Sequence, residues 1–419
     1  MSCYLGIDFG TSGARAIAMD AAETIQAQVH LSFRPSAAQN WAATWQQTLL
    51  SLLEALPLSV RQEVVAIAIN GTSATVLLCD ARGQPLTEPL LYSDGRGAAV
   101  KDDLAVAPSH HPAASTTSSL AKLLWWSRQP VYRQAVYFLH QADWLAYLLH
   151  GQLGISDYHN ALKLGYDVRQ LEYPHWLQNL PMFPLLPQVR PPGTPIAEVT
   201  RAVAQQLGLR SDCWVCTGTT DSIAAFLASG AQVPGEAVTS LGSTLVLKLL
   251  SHRYLEDSRY GIYSHRLGEL WLTGGASNTG GAVLRHFFSD EALETLSQQI
   301  DPAQASPHDY YPLLEKGDRF PINDPQHPPR LTPRPAAPVQ FLHGLLESLA
   351  RIETQGYRLL QDLGATALTT VYTAGGGAKN QTWTQIRQRC LGVPVVVPHS
   401  TAAAYGTARL AKQAFSRPR

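Results

Sequence analysis

Short apolar runs broken by small polar turns alternate along this chain with longer stretches of helical period. Cys3–Asp8 and Ala14–Met19 predict two strands joined by Gly10-Thr11-Ser12-Gly13, with Thr24–Ser32 a third strand at the edge. Trp41, Trp45, Leu49, Leu52 and Leu56 fall on one stripe, which predicts a helix over Trp41–Leu56. Val64–Asn70 is rich in Val, Ile and Ala, the pattern of a strand covered on both faces. It empties into Gly71-Thr72-Ser73, and Thr75–Cys79 resumes as strand. Ser119–His150 reads as mostly helical, Val199–Leu207 as a helix, Trp214–Thr217 as a strand and Ser222–Ser229 as a helix. Ala237–Leu250 then repeats the plan of the first hairpin: strand, Gly-Ser-Thr turn, strand. Gly261–Tyr263 and Leu270–Leu272 read as short strands, and the glycine-rich Gly274–Gly281 bends into a helix. Val339–Leu360 carries a helical stripe, Thr369–Ala374 a strand and Asn380–Cys390 the next helix. The Pro-rich Pro181–Pro195 interrupts regular structure, and Gln304–Arg334 reads as a long surface excursion.

Length turns this pattern into a domain count: 419 residues at 45% hydrophobic content are expected to fold around two cores. Charge narrows the partners. The 32 basic and 32 acidic residues cancel, which argues against nucleic acid and against an anionic membrane. No apolar run reaches the roughly 18 residues of a membrane span, and no apolar signal core follows the start. Five scattered cysteines point to a reducing compartment, so the expectation is a cytoplasmic protein, monomer or homodimer. Cys213 and Cys216 form a CxxC pair inside an apparent buried strand, where core packing is the better reading than zinc. The Asn70-Gly71-Thr72 sequon carries no meaning in a cytoplasmic chain.

The candidate chemistry sits where apolar runs deliver acidic residues into turns. Asp8 enters the Gly10-Thr11-Ser12-Gly13 turn, whose backbone N–H groups and hydroxyls suit phosphate oxygens, while Asp8 suits magnesium. No GxGxxG opens a helix and no GxxxxGK[ST] occurs, so a nucleotide site here is of neither the dinucleotide-binding nor the P-loop kind. Asp221, at the junction of a buried strand and a helix, is a candidate general base or a helix N-cap, and the two roles can coexist. Gly376 and Gly377 let backbone approach a flat ligand, and Asn380 at the start of the following helix can donate to an adenine or ribose. Ser73, Asp94 and Asp221, with Asp8 and Lys163, are candidates to hold a polyhydroxylated substrate, although Asp94 can instead pair with Arg96 as a loop clamp. His140 and Asp143, three residues apart, read as a structural hydrogen bond rather than a catalytic dyad.

Taken in order, GIDFGTSGAR, NGTSAT, YSDGR, HQADWLAYLLHG, GTTDSIAA, LGST, GGASNTGG and AGGGAKNQTW resemble the FGGY carbohydrate kinases over essentially the whole chain. The resemblance implies two ribonuclease H-like, actin-like ATPase α/β domains with an interdomain cleft. The N-terminal, sugar-binding domain is expected over 1–228, completed by 402–419, and the adenosine-binding domain over 229–401. It also implies ATP and Mg2+ as cofactors, with Asp8 organising the metal, Thr11 and Ser12 beside the transferred phosphoryl group and Asp221 as the base. Gly10, Gly13, Gly242, Ser243, Thr244, Gly275, Gly376, Gly377 and Asn380 are expected along the nucleotide. Within the family the segment LLHGQLGISDYHNALKLGYD is similar to the short D-ribulose kinases of cyanobacteria and plants, which implies phosphorylation of D-ribulose on its terminal hydroxyl to D-ribulose 5-phosphate. The expected compartment becomes the chloroplast stroma only if the chain is a plant's and its transit peptide is absent from this sequence. D-Xylulose or another pentulose is the alternative substrate, and a slow ATPase switch of the actin or chaperone type the alternative class. Arg15 stands where the family often has Lys, and the chain is shorter than members of about 500 residues.

Overall fold

A computed structural model describes residues 2–33 and 40–416. The expected domain bounds also take in Met1, residues 34–39 and residues 417–419, which lie outside the described residues. The chain divides into two compact units, one running to Ala228 and resuming at Ala402, the other Ser229–Thr401.

The first unit contains strands β1 (Cys3–Phe9), β2 (Gly13–Asp20), β3 (Ile25–Ser32), β4 (Val64–Gly71), β5 (Val76–Cys79), β6 (Tyr137–His140), β7 (Ile155–Asp157), β8 (Gln188–Arg190), β9 (Pro195–Glu198), β10 (Trp214–Cys216) and β11 (Thr219–Thr220). Its main sheet runs β3-β2-β1-β4-β10-β9, with β11 also paired to β4. Alternation decides what each strand face meets. Ile67 and Ile69 of β4 join Leu5, Ile7 and Phe9 of β1 in a core shared with Trp144, Leu145 and Leu149 of the helix Gln141–His150. The intervening Ala66 and Ala68 pack with Ala404, Tyr405 and Ala408 of the helix Ala403–Ser416. That helix therefore belongs to the first unit, and β4 is buried on both faces. Cys213 and Cys216 are divided between these two cores.

The second unit contains β12 (Glu236–Leu241), β13 (Leu245–Ser251), β14 (Tyr263–Leu267), β15 (Leu270–Ser277), β16 (Thr370–Ala374) and β17 (Val395–Val396), in the order β14-β15-β13-β12-β16-β17. The helix Pro338–Asp362 lays Phe341, Leu345, Leu349 and Ile352 against Leu245, Leu247 and Leu249. Each unit repeats one plan. An antiparallel hairpin (β1–β2, β12–β13) has a parallel strand (β4, β16) on the flank of its first member. These are two α/β domains. Among the described residues no helix is long and apolar enough to cross a membrane.

Three expectations need correction. Tyr137–His140 is a strand inside the stretch read as helical, because its apolar residues pair with Val76–Cys79 in the register Val76↔His140. A short apolar run has no period with which to announce that. Residues 304–334 are no mere surface excursion, since Tyr310, Tyr311, Leu313 and Phe320 are buried in the second core. Their anchor is Asp318, which accepts from Ser277 Oγ at 2.9 Å and from the Asn278 N–H at 2.7 Å. Gly274 and Gly275 continue β15 rather than form a bend, which begins only after Ser277.

Candidate active site

Parallel pairing assembles the acidic residues of the first unit. Asp8 of β1 lies opposite Asn70 of β4, and Thr220 of β11 lies opposite Gly71. The chain therefore leaves β1, β4 and β11 at one carboxyl edge, where Asp8, Ser73 and Asp221 follow in the turns or strand ends. Asp221 is the first residue of the helix Asp221–Ser229, and its Oδ1 accepts the Ser222 N–H at 2.7 Å. The N-cap expectation thus shifts by one position into the first turn, where a carboxylate is favoured by the helix dipole.

The placement has electrostatic consequences. Burial and then the charge of Asp221 push the Asp8 carboxyl up to about 6, against the opposing pull of Arg15, its cross-strand partner, and of Asn70. Burial pushes the Lys163 ammonium below its ordinary range, and Asp221 pulls it back up. Asp8 thus feels both Asp221 and Arg15, and Asp221 also feels Lys163. Asp94 stands further along the same chain of charges. It is held by Arg96 in a two-point clamp at 3.0 and 2.7 Å, and that pairing outweighs burial to keep its carboxyl below the ordinary range. The alternative reading of Asp94 as a clamp is thus realised.

The Gly10–Gly13 turn differs from expectation in its donors. The Gly10 N–H is spent on Gly13 O at 3.0 Å, closing the turn, and Thr11 and Ser12 are the exposed members. Gly13 has a packing reason of its own: a Cβ there would stand 2.5 Å from Leu31 O of β3.

In the second unit, Ser240 lies opposite Ala374, so the Gly242-Ser243-Thr244 turn after β12 and the Gly375–Gly377 segment after β16 leave the sheet side by side. Gly376, Gly377 and Asn380 line a cavity of about 750 Å3 together with Leu241, Gly281 and Trp383. That volume lies in the range of small-ligand sites. Gly376 faces open space, whereas a Cβ on Gly377 would meet the Trp383 ring at 2.6 Å. The turn is buttressed from behind by Gly281 N–H on Gly242 O at 2.9 Å and Ala282 N–H on Ser243 O at 3.1 Å.

Two of the residues expected along the nucleotide also carry structural duties. Asn380 is already committed as a helix cap: its Oδ1 accepts the Trp383 N–H at 2.9 Å and its Nδ2 donates to Ser297 Oγ at 2.8 Å. One of its two Nδ2 hydrogens is spent on that bond, and Asn380 also lines the cavity. Gly275 does not line the cavity, because the Phe320 ring lies 2.4 Å from where its Cβ would be, so it is glycine to admit that ring.

Sequence reasoning also missed residues. Gln141 fixes the turn after β4 by accepting the Thr72 N–H at 3.0 Å, and Arg285 reaches from the cavity wall to donate to Ser243 Oγ at 3.2 Å. Lys122 is fully buried beside the Asp94 loop. Its signal was available, a single charge in the apolar helix SLAKLLWWS. His140 is structural, its ring Nδ1 lying 2.9 Å from Asp143 Oδ2 with no exposure.

Two α/β domains, a carboxylate pair at a strand edge and a glycine-lined cavity define a phosphotransferase of the sugar-kinase class. Residues 3–228 match the N-terminal domain of the FGGY family of carbohydrate kinases and residues 237–415 its C-terminal domain, and the chain belongs to this family. It is accordingly an ATP-dependent kinase of a small sugar or polyol. A xylulose kinase of Staphylococcus epidermidis is 21% identical over 97% of this chain and 87% of its own length. One of Bacillus subtilis is 23% identical over 98% and 88%. The solved ligand-bound xylulose kinase of Lactobacillus acidophilus superposes with a TM-score of 0.84 at 16% identity, over 99% of this chain and 90% of that one.

Proposed function

We propose that the chain transfers the γ-phosphoryl group of ATP to the terminal hydroxyl of a five-carbon ketose, with D-xylulose ahead of D-ribulose. The pairing of Asp8 with Asp221 at the ends of neighbouring strands, with Lys163 near Asp221, carries the reading. In this mechanism the Asp221 carboxylate accepts the proton of the terminal hydroxyl as its oxygen attacks phosphorus, and the ADP oxygen leaves in line. Lys163 and Ser73 hold sugar hydroxyls, while Asp94 shapes the rim through its clamp with Arg96. Thr11 and Ser12 donate to the moving phosphoryl oxygens.

Asp8 fits magnesium. Its hard oxygen ligand sits beside a second carboxylate whose repulsion a divalent ion relieves, and Mg2+ commonly takes one or two protein carboxylates plus phosphate oxygens. When bound it neutralises phosphate charge. The nucleotide is assigned to the second unit, with its base in the cavity by Gly376 and Gly377 and its phosphates toward Gly242, Ser243 and Thr244. The five free cysteines support a cytoplasmic setting.

Two observations order the sugars. Xylulose kinases, together with glycerol kinases, are among the relatives that span nearly the whole chain. The segment behind the D-ribulose expectation spends Asp157 and Asn160 on each other, Nδ2 to Oδ2 at 2.6 Å, and its Lys163 lies close enough to Asp221 to feel its charge. The test is ADP release by purified protein with Mg-ATP and D-xylulose, D-ribulose, L-ribulose, glycerol or no sugar. D-Xylulose is expected to give the highest kcat/KM. A D-ribulose preference supports the second reading, and equal turnover in every well, sugar-free included, overturns the kinase assignment in favour of an ATPase switch.

A further inference from the structure

The helix Ser119–Ser127 carries one charged residue, Lys122, and it is 0% exposed. Its Nζ donates to Ala74 O at 2.7 Å and to Tyr92 O at 3.4 Å. Among the described residues it has no salt-bridge partner, because the neighbouring Asp94 is taken by Arg96. Burying an ammonium on backbone carbonyls alone is costly, and an apolar side chain would fill the same helix position without that cost. The two carbonyls identify what the charge does. Ala74 is a non-glycine residue in the left-handed region, at φ 65°, in the turn that carries Ser73, and Tyr92 lies two residues before Asp94. One ammonium thus ties together the two loops that carry candidate sugar ligands.

We propose that Lys122 is a positioning residue of the sugar site: its ammonium holds the Ser73 turn and the Asp94 loop in one arrangement, so that its charge governs sugar affinity and leaves nucleotide affinity alone. This rests on the assignment of the sugar to the first unit. The charged groups acting on Lys122 are Asp94 and Arg96 from the 90–96 loop and Lys163 from the 162–164 turn, while its own helix contributes none. Burial, more than the repulsion of Lys163 and Arg96, brings the ammonium down to about 8 against the attraction of Asp94. Raising the pH past that value turns charge-assisted bonds to the two carbonyls into weaker neutral ones.

The test compares wild type, Lys122→Met and Lys122→Arg for sugar KM, ATP KM and kcat from pH 6.5 to 9.5, and for hydrogen exchange in segments 72–76 and 90–96. At pH 7, K122M is expected to raise sugar KM about tenfold or more, the size of a lost hydrogen bond to a charged group, with ATP KM and kcat within about threefold of wild type. K122R, which stays charged throughout, is expected to recover part of that loss. Wild-type sugar KM should rise above pH 8, and the rise should vanish in both variants. Exchange should quicken in both segments of K122M. An unchanged sugar KM in K122M, an equal loss of ATP affinity, or an alkaline rise that persists in K122M overturns the proposal. If K122M does not fold, the wild-type profile decides: a sugar KM flat across pH 8 overturns it. If wild type phosphorylates no ketose, the functional reading fails separately, and hydrogen exchange still decides whether Lys122 holds the two segments.

Discussion

Replacing Arg387 by Met should unfold the second unit at a markedly lower temperature. Arg387, on the helix Gln381–Leu391, and Glu353, on the helix Pro338–Asp362, are both buried. Their contacts are Nε to Oε2 at 2.6 Å and Nη2 to Oε1 at 2.8 Å, and Nη1 donates to Thr373 Oγ1 at 2.7 Å. Thr239 Oγ1 donates to Glu353 Oε1 at 2.5 Å. The pair thereby binds two helices to β12 and β16, just before the Gly242 and Gly375 turns that border the cavity. Removing the guanidinium leaves a carboxylate buried without its cation, which costs about 3–5 kcal/mol. At about 2–4 °C per kcal/mol for a domain of this size, the melting temperature should fall by about 10 °C. The double variant E353L/R387M removes both charges and should lose less than R387M alone. Differential scanning fluorimetry and urea titration of wild type, both singles and the double complete the cycle. A wild-type melting temperature for R387M, or a double variant that loses the sum of the singles, would refute the reasoning.

Other outcomes follow from the same geometry. Asp221→Asn should lower kcat by about 10² to 10⁴ with ATP KM nearly unchanged, and near-wild-type turnover would remove Asp221 as the base. Gly281→Ala places a Cβ 2.6 Å from Gly242 O, so the turn must move and ADP affinity should fall about tenfold by calorimetry, a small-to-large penalty of about 1–3 kcal/mol; an unchanged Kd would show that the turn does not touch the nucleotide. His150 is a stability switch: burial holds its imidazole down to about 4, and Nδ1 accepts the Gln152 N–H at 3.0 Å, which requires that nitrogen to be unprotonated. Because the folded value lies below the ordinary 6.5, its contribution is present above pH 6.5 and lost as pH falls toward 4, amounting to about 2–3 kcal/mol. Urea unfolding at pH 7 and pH 4.5 should therefore show a smaller acid loss in His150→Gln than in wild type, and equal losses would refute it.

Legibility followed distance along the chain. Asp8 and Asp221 were readable because each is an acid that an apolar run delivers into a turn, and the paired hairpins were readable because each is a local pattern of strand, glycine turn and strand. Asn380 was readable as the start of a helix, but not as a cap already spent on Trp383 and Ser297, the second of which is 83 positions away. The strand Tyr137–His140 was hidden because so short a run fits either period, and only pairing with Val76–Cys79 chose between them.

The amino-acid sequence by itself determined the family, the two-domain α/β plan and the two strand-end aspartates, since those rest on local period, turn chemistry and motifs in order. Tertiary structure alone decided which distant residues meet. Phe320 filling the space over Gly275, Arg387 on Glu353 and Lys122 on the carbonyls of Ala74 and Tyr92 join positions 30 to 48 apart. Such contacts have no local signature, because they depend on sheet register and helix packing, and it is there that buried charge either finds a partner or becomes too costly to keep.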